Sequence, residues 1–364
     1  MSILLFIIIL AALILVHELG HFIAAKRSGV RVDEFGIGFP PRLWTTKVGE
    51  TMYSINAFPV GGFVKIFGED PNDESLQGVD KARSITSKSK LIQAWIISAG
   101  VIFNFLFAWL LVSAGFVVGL PYSVDDAKYS TRVENPSLTI TQVMPNSPAE
   151  GAGLKGGDVI VSLLSEKDTL EIPTVRATQD FIGSHEEFKL TYRRGEKVEE
   201  VVVEGSEGFV NGRRAIGISM ENVGILKLPA HEALYEGLMT TFSMSVAMTV
   251  GILDFFRDIF VGQASLEGVS GPVGIVSIVG DASTLGFIHV LSLTAIISIN
   301  LAIINLLPFP ALDGGRLFFL LIEAIKRSPI KPQISNAANG IGFLILIAFM
   351  AFVTFNDVAK LIHG

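Results

Sequence analysis

The sequence contains no cysteine and comparatively few charged residues. Without cysteine among its 364 residues, no disulfide can stabilise an exported part and no thiol can carry out chemistry. Charged side chains make up 17% of the chain, whereas soluble domains usually carry about 25%. The formal net charge is −7 and no domain is basic, so we expect no nucleic-acid partner. The shortage of charge also excludes an ordinary cytosolic enzyme and a disordered chain.

Long apolar runs take the place of the missing charge. Hydrophobic residues make up 50% of the chain and the mean hydropathy is +0.54, so the excess apolar surface must face lipid. Lys26, Arg27 and Arg31 follow the first run, and because basic flanks stay in the cytoplasm, its N-terminus is expected outside. We expect this span to be uncleaved, since no basic residue precedes it. Four membrane-spanning helices are predicted, at residues 3–25, 91–120, 285–307 and 341–355.

The apolar stretch at residues 237–253 is ambiguous. It carries no charge and could form a fifth span, but it is short and contains several serine, threonine and methionine residues. A crossing here would reverse the third predicted span and move Asp313 to the outer face. An amphipathic helix on the membrane surface, or packed against an exported domain, is therefore the preferred interpretation.

One polar motif interrupts the first predicted span. His17 and His21 are four positions apart, so in a helix they lie on one face, about one turn from each other. Both imidazoles can then reach one metal ion, with Glu18 beside them to hold a water, as in the HExxH motif of zinc proteases. A glutamate between two histidines inside lipid is costly without partners, which favours a metal site over a polar cluster that only joins helices.

Two histidines leave a catalytic zinc short of one protein ligand, because such sites usually have three. Asp313 has the most favourable context, since Pro308 and Pro310 end the third predicted helix and the glycines at 314–315 permit a tight return. Its carboxylate is then expected at the cytoplasmic end of that helix, on the same side as the histidines. Asp313 could instead cap the helix that follows. The other candidate ligands are His289, Asp281, Glu323, Asp254 and Asp258.

These motifs together resemble the site-2 protease family of intramembrane zinc metalloproteases, specifically its bacterial regulator-of-sigma-E type, over nearly the whole chain. The HExxH run at 17–21 is similar to the family's first-helix motif, and residues 305–314 (Asn-x-x-Pro-x-Pro-x-x-Asp-Gly) are similar to its second signature. Residues 100–104, Gly-x-x-x-Asn, resemble an element of the family's second span. The segments 34–39 and 271–275 are similar to further family segments.

The resemblance implies a zinc endopeptidase. Zn²⁺ would be held by His17, His21 and Asp313, with Glu18 as the general base; two histidines and a carboxylate could also hold another divalent ion. A role in substrate handling beside the metal is implied for Asn305, Pro308, Pro310 and Asn104. For the Gly-x-x-x-Asn element, however, the spacing of a small and a polar residue is equally typical of helix packing.

The predicted exported region contains a second recognisable pattern. Residues 147–160 read SPAEGAGLKGGDVI, which resembles a PDZ domain in the permuted bacterial arrangement. Later strands are expected at 188–193 and 198–203, joined by a hairpin turn at 194–196. PDZ domains commonly bind an extended peptide or a C-terminus by strand addition. The alternative is that this domain only shields the catalytic entrance. One such pattern is found, as in single-PDZ members of the family.

A segment rich in β-branched and aromatic residues follows the first span. Residues 52–67 read MYSINAFPVGGFVKIF, with Gly61 and Gly62 in a predicted turn between two runs and Lys65 as the single charge. A hairpin that dips to the cytoplasmic membrane face fits this pattern, and it resembles the family's membrane-associated β-loop. Its exposed strand edge could pair with an unwound substrate helix and so handle the substrate. The alternative is a hairpin that only packs on the helices.

The sequence thus predicts an α-helical polytopic membrane protein with four transmembrane helices, a membrane-associated β-hairpin and an inserted extracytoplasmic α+β PDZ domain. By resemblance it lies in the bacterial inner membrane, with its N-terminus and PDZ domain outside and its active site toward the cytoplasm. The predicted parts are an N-terminal membrane part, the PDZ domain, amphipathic helices and a C-terminal membrane part, at residues 1–120, 121–228, 229–284 and 285–364.

Regulated intramembrane proteolysis is the function that the resemblance implies. The expected substrates are single-span membrane proteins, such as anti-sigma factors or remnant signal peptides, cut within the bilayer. Two rivals stay open: a membrane-anchored zinc protease for soluble or misfolded proteins, and a non-enzymatic PDZ receptor with a metal-stabilised helix bundle. Glu18→Gln separates an enzyme from a receptor, and a membrane substrate compared with a soluble peptide separates the two proteases.

Overall fold

The computed structural model describes residues 2–69, 79–124, 128–210, 213–263 and 269–363. The chain divides into two compact units. We call them the helical unit, at residues 1–112, 236–280 and 292–364, and the sheet unit, at residues 113–235 and 281–291.

Helices dominate the chain outside its central part. The helices are α1 (Ser2–Arg27), α2 (Lys90–Val118), α3 (Pro148–Gly151), α4 (Val175–Ser184), α5 (Ala230–Val261), α6 (Pro272–Leu285), α7 (Phe287–Leu306), α8 (Asp313–Lys326) and α9 (Pro332–His363). The strands are β1 (Val32–Val48), β2 (Thr51–Ile66), β3 (Leu120–Ser123), β4 (Val133–Val143), β5 (Val159–Leu164), β6 (Thr169–Leu170), β7 (Glu187–Arg194), β8 (Lys197–Glu204), β9 (Ser206–Val210), β10 (Arg213–Ala215) and β11 (Ile218–Leu226).

Five described helices are long and apolar enough to cross a membrane, judged by length and composition: α1, α2, α5, α7 and α9. Four of them, α1, α2, α7 and α9, coincide with the four predicted spans. The fifth, α5, includes the ambiguous stretch 237–253 and has 32 residues, a length of about 48 Å. The argument that this stretch is too short to cross was therefore wrong, because Asp254 and Arg257 do not end the helix.

Helices α1 and α2 pack closely and in opposite directions. A Cβ on Gly20 would lie 2.4 Å from the carbonyl oxygen of Ala99, so only glycine permits this approach. His21 contacts Ile96, whereas His17 contacts Asn104. Because the lower number on one helix meets the higher number on the other, the two helices are antiparallel.

A four-segment sheet follows α1. Residues 32–37 of β1 pair with 62–66 of β2, and residues 42–48 of β1 pair with 51–56 of β2. The segment 32–37 also pairs, on its other side, with 51–56. The order of segments is therefore 62–66, 32–37, 51–56, 42–48. We call residues 62–66 the edge segment, because it has a paired neighbour on one side of this sheet.

The predicted hairpin within residues 52–67 was wrong in its pairing. The two runs do not pair with each other, because β1 supplies the strand that lies between them. The residues taken as a hairpin turn form a bend inside one long strand, at which Gly61 has a φ of +105°. Glycines and prolines in residues 36–41 hid the strand character of β1 from the pattern analysis.

The turn between β1 and β2 is tied to the end of α1. Glu50 accepts hydrogen bonds from Lys26 at 2.9 Å and from Arg83 at 2.7 Å. These hydrogen bonds lower the pKa of Glu50 below its ordinary value. The contact holds the sheet against the C-terminal end of α1, the end at which the candidate metal ligands lie.

The sheet unit is built on a seven-stranded sheet in the order β3-β11-β4-β5-β7-β8, with β6 paired to β5. Along β7 every second residue points inward, as expected for a half-buried strand. The predicted strands at 188–193 and 198–203 and the turn between them are confirmed, with Gly195 at a φ of +61°. Nine described core side chains are at most 2% exposed: Leu138, Ile140, Ala149, Ile160, Leu163, Phe188, Leu190, Val203 and Ile216.

A buried ion pair joins two strands of the sheet unit. Asp158, just before β5, is fully buried. Its carboxylate accepts hydrogen bonds from Nε and Nη2 of Arg194 at 2.7 and 2.6 Å, and from the backbone N–H of Lys155 at 2.8 Å. These bonds raise the pKa of Arg194. The aspartate of the predicted PDZ pattern therefore connects the start of β5 to the end of β7.

Candidate metal centre

Two histidines of α1 face one point. His17 and His21 lie on the same face of a continuous helix, and each is 8% exposed. Their Nε2 atoms are 3.2 Å apart, and the two rings are nearly perpendicular, at 84°. Both rings therefore direct an Nε2 atom into the same small volume.

Asp313 completes a triangle with the histidines. It is the first residue of α8, and its Oδ2 atom lies 3.0 Å from Nε2 of His17 and 3.2 Å from Nε2 of His21. The alternative role as a helix cap is wrong, because the N-cap residue is Leu312 and the Asp313 side chain turns toward the histidines. The structure thus brings the three predicted ligands together.

Glycines allow the chain between α7 and α8 to turn back on itself. A Cβ on Gly314 would lie 2.2 Å from the carbonyl oxygen of Leu307, and a Cβ on Gly315 would lie 2.2 Å from that of Phe309. No larger residue fits at either position without a shift of the backbone. This tight return delivers Asp313 to the histidines.

The three ligand atoms fit a small divalent cation. They are 3.0–3.2 Å apart, and tetrahedral zinc with bonds of about 2.0–2.1 Å separates its ligand atoms by about 3.3 Å. Oδ2 of Asp313 is buried and has no well-formed hydrogen bond, which is costly unless a cation satisfies it. Within the described ranges, no other group of three histidine, aspartate or glutamate side chains converges in this way.

A cavity of about 190 Å³ opens in front of these ligands. A Cβ on Gly62 would lie 3.6 Å from Cγ of Glu18, so the edge segment passes directly beside the predicted base. Glu18, the ligands and the edge segment therefore share one compartment. The cavity is lined by the three ligands and by Glu18, Phe63, Val64, Ile66, Glu69, Ile96, Ile97 and Arg316.

The outer nitrogens of both imidazoles have partners on α2. Nδ1 of His21 donates to the carbonyl oxygen of Ile96 at 2.9 Å, and Nδ1 of His17 lies 3.3 Å from the side-chain amide of Asn104. When both Nε2 atoms bind a metal, both Nδ1 atoms carry protons, so Asn104 must turn its amide oxygen toward His17. That orientation also gives this oxygen a partner, which it otherwise lacks.

The Gly-x-x-x-Asn element of α2 lies against the predicted metal ligands. A Cβ on Gly100 would lie 2.4 Å from Nε2 of His21 and 2.7 Å from Cε1 of His17. Asn104 is fully buried behind His17, and its role in substrate handling stays a prediction. Its backbone carbonyl accepts a hydrogen bond from Ser298 of α7 at 2.8 Å, which anchors this part of α2.

The other residues predicted to handle substrate lie in two places. Gly61 and Gly62 belong to the bend and the edge segment of β2, beside Glu18. Asn305 is half-buried near the end of α7, and Pro310 packs against α9. Asn305, Pro308 and Pro310 are not among the described residues that line the cavity. Their role in substrate handling stays a prediction.

The alternative third ligands lie elsewhere. Asp281 pairs with Lys155 at 2.6 Å, and Glu323 pairs with Lys90. The remaining alternatives are on α5 and in the first turn of α7, outside the converging group: Asp254, Asp258 and His289.

Two residues of the cavity were missed in the sequence. Nη1 of Arg316 and Oε1 of Glu69 form an ion pair at 2.6 Å, and both residues line the cavity. Arg316 follows Asp313 by three positions in α8, so helical spacing could have placed it on the same face. Glu69 carries no comparable signal, because its position depends on the long-range pairing of β2 with β1.

Comparisons with known proteins identify the family of the chain. The chain matches the model of peptidase family M50 over residues 5–349. It is 35% identical over 352 residues to a protein of Clostridium perfringens named as a zinc metalloprotease, covering 96% of each chain. It is 29% identical over 436 residues to the zinc metalloprotease RasP of Geobacillus kaustophilus, covering 99% of this chain and 98% of RasP.

Part of the chain is similar to a solved structure. It is the PDZ domain of the SdrC-like protein from Listeria monocytogenes, at 22% identity and a TM-score of 0.21, covering 24% of this chain and 90% of that one. The family match and the relatives, by contrast, extend over nearly the whole sequence. The predicted resemblance is confirmed, and the chain belongs to peptidase family M50, the site-2 proteases.

Proposed function

We propose that this protein is an intramembrane zinc endopeptidase that cuts within the transmembrane segments of single-span membrane proteins. The observation that carries the proposal is the convergence of His17, His21 and Asp313 at 3.0–3.2 Å, in a cavity that also contains Glu18. These three residues would hold Zn²⁺. The names of the relatives from C. perfringens and G. kaustophilus support this choice of metal.

Glu18 would carry the proton transfers of hydrolysis. Bound zinc supplies Lewis-acid activation of a water molecule and of the scissile carbonyl. Glu18 takes the proton of the attacking water and passes it to the leaving amine. The hydrogen bonds of the two imidazoles to Ile96 and Asn104 keep both rings in a fixed orientation while the charges in the cavity change.

The edge segment would hold the substrate as an added strand. A transmembrane helix must unwind before its peptide bonds can be attacked, and lipid offers no hydrogen bonds to the freed amides. Pairing with the side of residues 62–66 that has no strand partner among the described residues would replace those bonds. Phe63, Val64 and Ile66 line the cavity, so a strand added here would pass in front of Glu18.

Contacts within the helical unit support a topology in which α1 and α7 run in the same direction. A Cβ on Gly280 would lie 2.8 Å from Oγ of Ser2, so this part of α6 lies beside the start of α1, and α7 begins seven residues later along the chain. It leads to Asp313, which reaches His17 and His21 in the second half of α1. Helix α2 is antiparallel to α1 and therefore also to α7. The chain between the end of α2 and the start of α7 must then cross the membrane an even number of times or not at all.

This parity argues against a crossing by α5. Ten residues separate α5 from α6, and the start of α6 is held by Asp357 near the C-terminal end of α9, the end away from Pro310. These ten residues alone would therefore have to make the return crossing, and as a helix they would extend about 15 Å, half of the bilayer core. As extended chain they would leave their amides unpaired in lipid. The proposed topology therefore keeps four spans (α1, α2, α7 and α9), with α5 along the membrane surface. The basic flank of α1 supports a metal centre on the cytoplasmic side, in what we propose to be the bacterial inner membrane.

The sheet unit would be the extracytoplasmic PDZ domain. Strand β11 pairs with β4 from Ile218 to Leu226, but β3 pairs only with its second half, from Val223 onward. Among the described residues, the first half of β11 therefore has no strand partner on that side, and a peptide C-terminus could add there. The functional parts are proposed at residues 1–120, 121–228, 229–284 and 285–364.

Cleavage in lipid vesicles tests the proposed function. The purified protein should cut a single-span substrate, and Glu18→Gln should slow cleavage by about 10²–10⁴-fold, the usual contribution of a general base. Glu18→Gln should retain zinc, whereas Asp313→Asn should lose it. The matched control is Glu196→Gln, at an exposed turn of the sheet unit, which should cleave normally. Equal cleavage by Glu18→Gln would refute the enzyme mechanism.

The choice of substrate separates the remaining alternatives. An anti-sigma factor segment and a remnant signal peptide should both be cut when presented as membrane helices. A soluble peptide with the same cleavage sequence should be cut more slowly, because the edge segment opens toward the bilayer in the proposed topology. Preference for the soluble peptide would support a membrane-anchored protease of soluble proteins instead.

A further inference from the structure

One cationic side chain faces the metal cavity, and the mechanism above does not use it. Of the described residues that line the cavity, Arg316 is the one with a permanent positive charge, beside the carboxylates of Glu18, Glu69 and Asp313. Its Nη1 atom lies 2.6 Å from Oε1 of Glu69. The side chains of Arg316 and Glu69 are 33% and 36% exposed, so the pair is at the open side of the cavity.

This ion pair connects the two chain segments that matter most to the reaction. Arg316 lies one turn after Asp313 in α8, on the same helix face. Glu69 follows the edge segment by three residues. A substrate strand on the edge segment would therefore have the metal ligands on one side and the guanidinium near its path.

Hydrolysis itself generates an anion in this cavity. A transmembrane substrate segment is largely apolar and brings few acidic side chains, but each cut creates a C-terminal carboxylate. A guanidinium binds a carboxylate through two parallel N–H···O hydrogen bonds. Glu69 presents the same chemical group to Arg316, so a product carboxylate could replace Glu69 without leaving the guanidinium unpaired.

We propose that Arg316 binds the new C-terminal carboxylate of the cleaved substrate, and that Glu69 is the exchangeable counter-ion that returns when the product leaves. Arg316 is then a product-binding residue and Glu69 a positioning residue that keeps the guanidinium at the cavity. The inference rests on the proposed protease function. It predicts a preference for a carboxylate that can be measured without any turnover.

The test measures binding of two peptides that differ only at the C-terminus. Glu18→Gln protein in detergent is stripped of metal with a chelator, so that zinc cannot bind the carboxylate. A dye-labelled peptide of leucine and alanine, as free acid or as amide, is titrated by fluorescence anisotropy. The free acid should bind about tenfold more tightly, as expected for one charge-assisted contact.

Variants assign that preference to the ion pair. Arg316→Gln should remove it, Arg316→Lys should keep part of it, and Glu69→Gln should increase it because the competing carboxylate is gone. The matched control is Arg42→Gln. Arg42 pairs with Glu34 at 2.6 Å in the β1–β2 sheet and is not among the cavity-lining residues, so this change should leave the preference intact.

Two results would overturn the inference. One is equal affinity of the Glu18→Gln protein for the acid and the amide peptide. This measurement leaves Arg316 intact, so it does not depend on whether an Arg316 variant folds. The other is an unchanged preference in Arg316→Gln. Failure of the proposed function looks different: wild-type protein would then leave membrane substrates uncut, whatever the two peptides do.

Discussion

Replacing Gly100 by alanine adds one methyl group at the point where the two imidazole rings of the candidate metal centre meet. The new Cβ would lie 2.4 Å from Nε2 of His21 and 2.7 Å from Cε1 of His17. Because non-bonded carbon atoms prefer separations of about 3.5–4.0 Å, the rings have to move by about 1 Å. Their freedom to do so is limited, since the Nδ1 atoms are held by Ile96 and Asn104.

The expected effect falls on the metal rather than on the fold. Metal–ligand distances tolerate deviations of about 0.2 Å, so a displacement of about 1 Å spoils the site. Substitution of a residue that supports a metal ligand typically lowers the metal affinity 10–100-fold, which is about 1.4–2.7 kcal/mol. We expect a loss of at least this size for Gly100→Ala. Helix α2 should not suffer, because alanine is a better helix former than glycine by about 1 kcal/mol.

Zinc affinity is measured by competition with a chromophoric chelator, and thermal unfolding of the metal-free protein is measured in parallel. The matched control is Gly251→Ala in α5, where a Cβ would have no neighbour within 4 Å. This control should bind zinc like the wild type. Wild-type zinc affinity in Gly100→Ala would refute the reasoning. A variant whose metal-free form is destabilised while its zinc affinity is unchanged would show that Gly100 serves helix packing.

Three further predictions concern the supporting structure. Asp158→Ala leaves Arg194 without its buried partner and should destabilise the sheet unit by about 3–5 kcal/mol, measured as faster hydrogen exchange in β5 and β7 of the full chain. Glu50 has a lowered pKa in the folded protein, so its stabilising contribution should be complete above about pH 4.3, its unfolded pKa. The stability difference between wild type and Glu50→Gln should shrink as the pH falls below that value, and a constant difference would contradict the assignment. Asp357, which is buried and accepts from the N–H groups of Gly271 and Gly274 at 3.2 and 2.8 Å, holds the start of α6; Asp357→Ala should expose both amides to hydrogen exchange, with a cost of about 1.5–3 kcal/mol.

The site residues that were predicted from the sequence are marked by patterns in the residues next to them. His17 and His21 are linked by helical spacing, which is a property of the segment alone. Asp313 was found because prolines and glycines around it stop one helix and permit a tight return before the next. In each case the physical cause lies within a few residues of the side chain that it positions.

The parts that were missed depend on contacts between distant segments. The strand β1 lies between the two halves of β2, and nothing in residues 52–67 reveals that an outside segment separates them. The length of α5 depends on whether Asp254 and Arg257 can face water, which hydropathy alone does not decide. Glu69 comes to the cavity only because β2 is paired in this way.

The four-residue spacing of Gly-x-x-x-Asn in α2 matches the four-residue spacing of the two histidines of HExxH in α1. Ile96, Gly100 and Asn104 follow one another at intervals of four, so they form one face of α2. That face is antiparallel to His17 and His21, which are also four apart. Gly100 leaves room for both rings. Ile96 holds Nδ1 of His21, and Asn104 holds Nδ1 of His17. On α2 alone this pattern is indistinguishable from ordinary helix packing. Opposite the two predicted metal ligands, each of its positions has a defined contact with an imidazole.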